Sequence, residues 1–243
     1  MKSSVPPFQG FSKDAFGFLS ELKDNNSLPW FNLNRGRYQN SLVQPARAFI
    51  TEMGQFFNRL YPAIRTEPKF NETIMRINKD LRFSKGEPYR TYFLIHFGRF
   101  KLDSEFYVSF EPESFDVGLF INNSGKDPNF HFRENLQKHP KEFLSILDKY
   151  QINYNFELHE LGKGPVIVDR HLNGSEHLET LKKLKMMLIQ KSFSPKEKII
   201  FSPDFILEAM KAFSLLFPVY CFGAFPQPLK MVEEFEEQFG SML

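Results

Sequence analysis

Cysteine is almost absent from this 243-residue sequence, with Cys221 the single example. One thiol excludes an intrachain disulfide and any metal site built from cysteine alone. Cys221 sits in FPVYCFGAF with no histidine or basic residue beside it, which predicts a small buried hydrophobe rather than a nucleophile. Net charge is scarce as well. Lys and Arg number 31 against 29 Asp and Glu, leaving +2, so the global balance argues neither for nor against a polyanionic partner. Motifs that announce chemistry are missing too. There is no HExxH helix, no Gly-x-Ser-x-Gly elbow and no glycine-rich approach to a Walker lysine. The residues therefore assign no reaction and imply no cofactor. Long apolar runs are also lacking. The longest, AFSLLFPVYCFGAF, falls short of the ~20 residues a membrane span needs, and Pro218 and Gly223 interrupt it. The opening MKSSVPPFQGF has no apolar core of a signal peptide. Together these predict a cytoplasmic protein with no membrane association.

Phenylalanine is the residue in excess, with 30 examples, and each is a large apolar body with only two side-chain torsions. The chain length suits one domain over residues 1–243. Ser12 can cap a helix in which Ala15, Phe16, Leu19 and Leu22 recur at helical spacing, and Asn25, Asn26 and Pro29 should end it. Ala46, Phe49, Ile50, Met53, Phe56, Phe57 and Leu60 mark a second helix, which Pro45 starts or kinks and Pro62 stops. The period then changes to two. Met75, Ile77, Leu81 and Phe83 alternate with Arg76, Asn78, Asp80, Arg82 and Ser84. TYFLIHF, EFYVSFE and SFDVGLFI alternate likewise, and short turns join them. This predicts a four-stranded antiparallel meander with one apolar face, covered by helices, and one mixed polar face.

Past residue 122 the helical rhythm returns and breaks near Pro140, and INYNFELHELGKGPVIVD reads as one or two strands. Asn173 or Ser175 should cap a helix through EHLETLKKLKMMLIQK, striped by Leu178, Leu181, Leu184 and Leu188. KIIFS reads as a short strand. Ser202 and Pro203 start another helix, and a last one buries Val232, Phe235 and Phe239. The predicted fold class is α+β, with N-terminal helices packed on an antiparallel sheet and a mixed, largely helical C-terminal half.

Chemistry concentrates in RINKDLRFSKGEPYRT. Residues 76–101 hold seven Lys or Arg against two acidic residues. Arg76, Asp80 and Arg82 fall on one side of a regular strand, where two planar guanidiniums flanking one carboxylate suit phosphate or carboxylate. Ser84, Lys85 and Arg90 can add donors in and after the turn. Trp30, Asn34, Tyr38, Tyr89 and His96 are the candidates for an aromatic and polar wall. The same charges also suit an internal ion-pair network that ties the sheet to neighbouring helices, and both readings stand. For metal, Glu157, His159, Glu160, Asp169 and His171 are the best cluster, but their spacing matches no established ligand pattern, so no metal site is expected.

Two ordered blocks resemble a known family. NNSLPWFNLNRGRY supplies Trp30, Phe31, Asn34 and Tyr38, and the second block supplies Arg76, Asp80, Arg82, Phe83, Ser84, Lys85, Pro88, Tyr89 and Thr91. Over residues 11–122 these resemble the domain-of-unknown-function family 2461. Arg90 stands where that pattern has Lys and Lys79 where it has Arg, so charge is kept. Pro29 replaces a charged residue, and SKGEPY is shorter than the usual turn. The resemblance implies a mixed α and β fold and no catalytic role for any residue. Three functions compete. The first is binding of, or enzymatic action on, a small anionic ligand, phosphorylated or carboxylated, at the basic surface. The second is a non-catalytic module for a protein partner, through the charged sheet face or the glutamate-rich last helix. The third, ranked last, is weak nucleic-acid binding through residues 76–101 and 182–198.

Overall fold

The structure, a computed structural model, describes residues 5–80, 82, 86–124, 128–162 and 164–240. Helix α1 spans Asp14–Asp24, α2 Leu28–Tyr38 and α3 Gln44–Leu60. Ser12 Oγ accepts the Asp14 N–H at 3.2 Å just ahead of α1, and Ala15, Phe16, Leu19 and Leu22 are buried as their spacing requires. Helix α2 is a correction. Pro29 lies in its first turn, where a missing N–H costs nothing, and does not stop the chain from being helical. Gln39–Val43 then form a π-helical turn that carries the rod into α3. Pro45, in the first turn of α3, has no N–H to give back to that turn, and the wider π pairing absorbs the mismatch. The helix ends at Leu60, ahead of Pro62.

Strands β1 (Phe93–Phe97), β2 (Glu105–Phe110) and β3 (Phe115–Asn122) follow in order. Later come α4 (Phe132–Lys138), α5 (Pro140–Lys149), the hairpin β4 (Glu157–Leu161) and β5 (Pro165–Asp169), α6 (Gly174–Lys183) and β6 (Met186–Phe193). Helices α7 (Phe205–Ala224) and α8 (Pro228–Phe239) close the chain. The fold is α+β, with one antiparallel sheet ordered β1-β2-β3-β6-β4-β5.

Several expectations need revision. The helix expected through residue 191 stops at Lys183, and Leu188 lies in β6 opposite His159 of β4. Leu, Lys and Met favour helix locally, but Met187 and Ile189 are buried on the period of two, and pairing with β4 overrides propensity. KIIFS is a 3-10 turn at Lys198–Phe201. Its backbone meets the N-terminal segment instead of the sheet, the Ile200 carbonyl accepting the Phe11 N–H at 2.9 Å. The fourth meander strand is an irregular ribbon. Isolated bridges join Ile74 to Ile95 and Asn78 to Tyr89. The register slips by two residues between them, so no continuous ladder forms. The alternation itself survives: Ile77 is buried while Arg76, Asn78 and Asp80 are exposed. Leu81, Phe83, Ser84 and Lys85 lie outside the described residues.

The polar sheet face also needs correction, because every residue of β2 is buried. The Tyr107 hydroxyl on β2 donates to Gln190 Oε1 on β6, and β3 lies between those strands. The crossing falls at Gly118 of β3, where a Cβ would lie 2.5 Å from the Ile189 carbonyl oxygen and 2.8 Å from Gln190 Cβ. Gly118→Ala is therefore expected to lower stability by roughly 1–3 kcal/mol. A urea midpoint equal to wild type would refute this account of the glycine.

Two compact units make up the chain. The first comprises Met1–Phe97, Val108–Asp116 and Ser192–Ala209. Its core is aromatic: Phe11 meets Phe8 at 4.9 Å and Phe110 at 4.8 Å, and Phe115 meets Phe110 at 4.8 Å and Phe205 at 5.0 Å, all edge to face. The second comprises Gly98–Tyr107, Val117–Lys191 and Met210–Leu243. There Phe106 packs on Phe213, Phe217 and Tyr220 of α7, and Phe143 of α5 packs on Phe222.

Helix α7 continues through Pro218 and Gly223, so neither residue interrupts it. At 20 residues it is long and apolar enough to cross a membrane by length and composition, yet 72% of its most apolar window is buried within the protein. Gly223 permits a close approach, since a Cβ there would lie 3.0 Å from Ser104 Oγ. The carbonyls at the end of α7 are satisfied from the side. Asn135 Nδ2 donates to the carbonyl of Phe222 and to that of Phe225 just past the helix, and Arg99 Nη1 to that of Ala224.

Candidate functional site

Helix α2 sets Phe31, Arg35 and Tyr38 one turn apart on one face. Phe31 stacks on Tyr89 with ring centres 4.3 Å apart, and Tyr38 lies 5.4 Å from Phe31 and 6.2 Å from Phe93. Asn26, just ahead of α2, fixes the ribbon in place. Its Nδ2 donates to the Tyr89 carbonyl at 2.9 Å and its Oδ1 accepts the Tyr89 N–H at 3.0 Å. An amide side chain carries one donor end and one acceptor end, so it can stand in for a neighbouring strand. In the sequence Asn26 marks a helix stop; its location two residues ahead of the apolar start Leu28 is the signal for this second role.

The candidate cations serve different ends. Arg76 is exposed. Its Nε donates to Asn71 Oδ1 at 3.2 Å and its guanidinium lies 5.6 Å from the centre of the Phe70 ring. Its charge reaches Tyr38: burial pushes the Tyr38 phenol far above its ordinary pKa, and the Arg76 guanidinium partly opposes that push. Arg90 acts as a strap, its Nη1 donating to the carbonyls of Arg76 at 3.0 Å and Asn78 at 2.8 Å. Arg82 folds back on Asp80. Nε and Nη2 meet the two carboxylate oxygens at 2.9 and 2.7 Å, and the Arg82 N–H adds a third bond at 3.1 Å. Those bonds hold the Asp80 carboxyl below its usual range. The Arg82 side chain is 81% exposed, so this pair is a local surface turn that adds little to stability. Arg76 makes no bond to Asp80 among the described residues, so the arrangement of two guanidiniums around one carboxylate is not formed.

The proposed wall divides as well. Tyr38 and Tyr89 come together around Phe31. Trp30 packs on Phe18 of α1 at 5.6 Å, and Asn34 Nδ2 donates to the Trp30 carbonyl within α2. His96 is half-buried in β1, its N–H donating to the Thr73 carbonyl at 2.9 Å. Ser84 and Lys85 lie outside the described residues. An ion-pair network that ties α1 to α2 sits elsewhere, at Arg37. Arg37 grips both Asp14 oxygens at 2.8 and 2.6 Å and Glu21 at 2.7 Å, and the Ser41 hydroxyl adds a bond to Asp14. The Arg37 guanidinium holds the Asp14 carboxyl below its usual range.

On the β4–β5 hairpin, His159 bonds Glu157 at 2.8 Å, and His171 Nδ1 meets the Tyr154 carbonyl at 2.9 Å. Among the described residues no three His, Cys, Asp or Glu are grouped to hold a metal ion. Cys221 is fully buried, and loss of solvent pushes its thiol pKa well up, away from the reactive thiolate.

The family model for the conserved hypothetical proteins of domain-of-unknown-function family 2461 matches residues 14–222. The protein belongs to this family. The match runs well beyond residue 122, where the resemblance read from the sequence ended, and so takes in the β4–β5 hairpin, β6 and nearly all of α7. The description of family 2461 assigns no activity. No curated protein matches the chain.

Proposed function

We propose that this member of family 2461 binds a small phosphorylated or carboxylated molecule at Arg76, beside Tyr38. One observation carries the reading. Arg76 is exposed and oriented at Nε by Asn71, with its guanidinium 5.6 Å from the centre of the Phe70 ring, while its two terminal nitrogens bond to nothing among the described residues. A guanidinium held in place with an open fork is the geometry that grips an anion with two parallel bonds. The π-helical turn directly after Tyr38 adds support, because such turns recur at functional sites. Arg82 and Arg90 are supporting residues in this reading, since one faces Asp80 and the other the ribbon carbonyls.

The test is a thermal-shift titration with phosphate, sulfate and phosphorylated metabolites. The wild type is expected to show a saturable rise, near 2.7 kcal/mol of added stability when ligand reaches about 100 times its Kd. Arg76→Ala should abolish the rise, Arg76→Lys should keep part of it, and Arg82→Ala should leave it nearly whole. A broad anion panel with no saturable shift would remove the proposal.

A second reading, a protein-interaction module, draws on a different place. β5 is an edge strand of the sheet, and Val166, Ile167 and Val168 are 65%, 45% and 38% exposed there. Nucleic-acid binding finds less support. Arg90 and Arg99 in the first basic segment and Lys182 in the second already bond within the protein.

A further inference from the structure

We infer that the sheet face around His159 binds a second kind of ligand, an apolar ring compound that carries one hydroxyl donor, such as a phenol. This site does not depend on Arg76. His159 lies on β4 with its side chain 8% exposed. Its Nε2 faces Glu157 Oε2 at 2.8 Å, and Arg170 Nη1 stands 3.5 Å from the other Glu157 oxygen. A carboxylate can only accept, so Nε2 carries the proton, and the neutral imidazole is left with an acceptor at Nδ1. Nδ1 bonds to nothing among the described residues, and it is not sealed from solvent. A ring more than nine-tenths buried that ends on an open acceptor is a place for a donor from outside the chain.

Regular strand pairing builds the surface beside that nitrogen. Between β4 and β6, Glu157 is the partner of Gln190 and His159 of Leu188, with no shift of register. On β5 the partner of His159 is Ile167, and the one register shift of that pair lies between Leu158 and His159, outside this part. On β3, the side chain that Gly118 lacks would meet Gln190, and the Asn123 N–H donates to the Lys185 carbonyl at 2.7 Å. Both contacts fit one antiparallel register, in which Phe120 falls opposite Leu188. Side chains opposite one another share a face, so Phe120, Leu188, His159 and Ile167 form one row across four strands. Ile121, the next residue of β3, approaches Gly223, which puts α7 on the other face. Phe120 and Leu188 are half-buried and Ile167 is 45% exposed, so the row is an accessible apolar shelf. A polar row runs next to it, in which the Tyr107 hydroxyl bonds Gln190 and Glu157 bonds His159.

Ligand class follows from the acceptor and the shelf together. Neighbouring strands lie about 4.8 Å apart, so roughly 10 Å separate Phe120 from His159, with Leu188 between them. A two-ring aromatic body covers that distance, its rings on Leu188 and Phe120 and its hydroxyl at His159 Nδ1. A carboxylate or phosphate head does not suit this place. It would set a lone pair against the Nδ1 lone pair and a negative charge near that of Glu157.

The experiment is a fluorescence titration with 2-naphthol and with 2-methylnaphthalene, which has the same shape but no donor. Wild type, His159→Leu and Phe120→Ala are compared, with circular dichroism melts as the check on folding. Wild type is expected to bind 2-naphthol about 10-fold more tightly than 2-methylnaphthalene, the effect of one hydrogen bond to an otherwise unused acceptor. His159→Leu keeps the apolar shelf and removes the acceptor, so the two ligands should then bind alike. Phe120→Ala, at a half-buried position, should weaken both by about 5-fold and keep the preference. That variant decides the matter even if His159→Leu does not fold. Equal affinities in wild type, a preference that survives His159→Leu, or binding that ignores Phe120→Ala each overturn the inference. So does the absence of saturable binding by both probes.

Discussion

Val108→Asp is expected to abolish stable folding. Val108 lies in β2, has no exposed surface, and every other residue of that strand is also buried. The flanking Tyr107 and Ser109 turn toward the opposite face, so the new carboxylate would sit among apolar side chains. A lone buried carboxylate costs several kcal/mol even after its pKa rises to neutralise it. Typical domains hold only about 5–15 kcal/mol in total. A loss of more than about 4 kcal/mol is thus expected, seen as an absent or sharply lowered melting transition. Val108→Ala is the control: it removes methyl groups without adding charge, and should cost about 2 kcal/mol. If Val108→Asp melts as wild type does, the proposed phase of β2 is wrong.

That phase was legible because β2 and β3 carry strict alternation of large apolar residues bounded by turn residues. The period alone orients Phe106, Val108 and Phe110 together. Other elements hid for identifiable reasons. Helix α2 buries only Phe31 and Tyr38, so it has almost no apolar rhythm, and its Pro29 reads as a stop unless the start of the helix is already known. Strand β6 is written in Leu, Lys and Met, which favour helix, and its pairing with β4 is set by residues about 30 positions away. Helix α7 contains a proline and a glycine that stop helices on a surface, but its burial against Phe106 outweighs both. At the candidate site, alternation correctly exposed Arg76, Asn78 and Asp80. It could not reveal that Arg82 turns back onto Asp80, because a bond across two residues is a property of the turn and not of the period. Asn26 escaped notice for a related reason: it matters through the ribbon folded against it, which lies some 60 residues away.

The other large effect is expected at the buried pair Arg99–Asp103. Asp103 has no exposed surface and the Arg99 side chain is 16% exposed. The fork is bidentate, Nε to Oδ2 at 2.8 Å and Nη2 to Oδ1 at 2.7 Å, with the Arg99 N–H adding a bond to Oδ2 at 3.0 Å. The Phe100 and Phe225 ring centres lie 5.2 and 5.6 Å from the guanidinium, and Nη1 caps α7 at the Ala224 carbonyl. Asp103→Ala takes this carboxylate away from a largely buried guanidinium, and should lower stability by about 3–5 kcal/mol. The pair itself adds less than that figure, because both charges had to leave water to form it. The double substitution Asp103→Ala with Arg99→Met separates the two quantities. It removes the Arg99 charge along with its Asp103 partner and keeps an apolar body near Phe100 and Phe225, so part of the loss from Asp103→Ala alone should return, less the lost bond to Ala224. Urea unfolding of the four proteins of this cycle measures the coupling. Strict additivity would mean that Arg99 does not depend on Asp103.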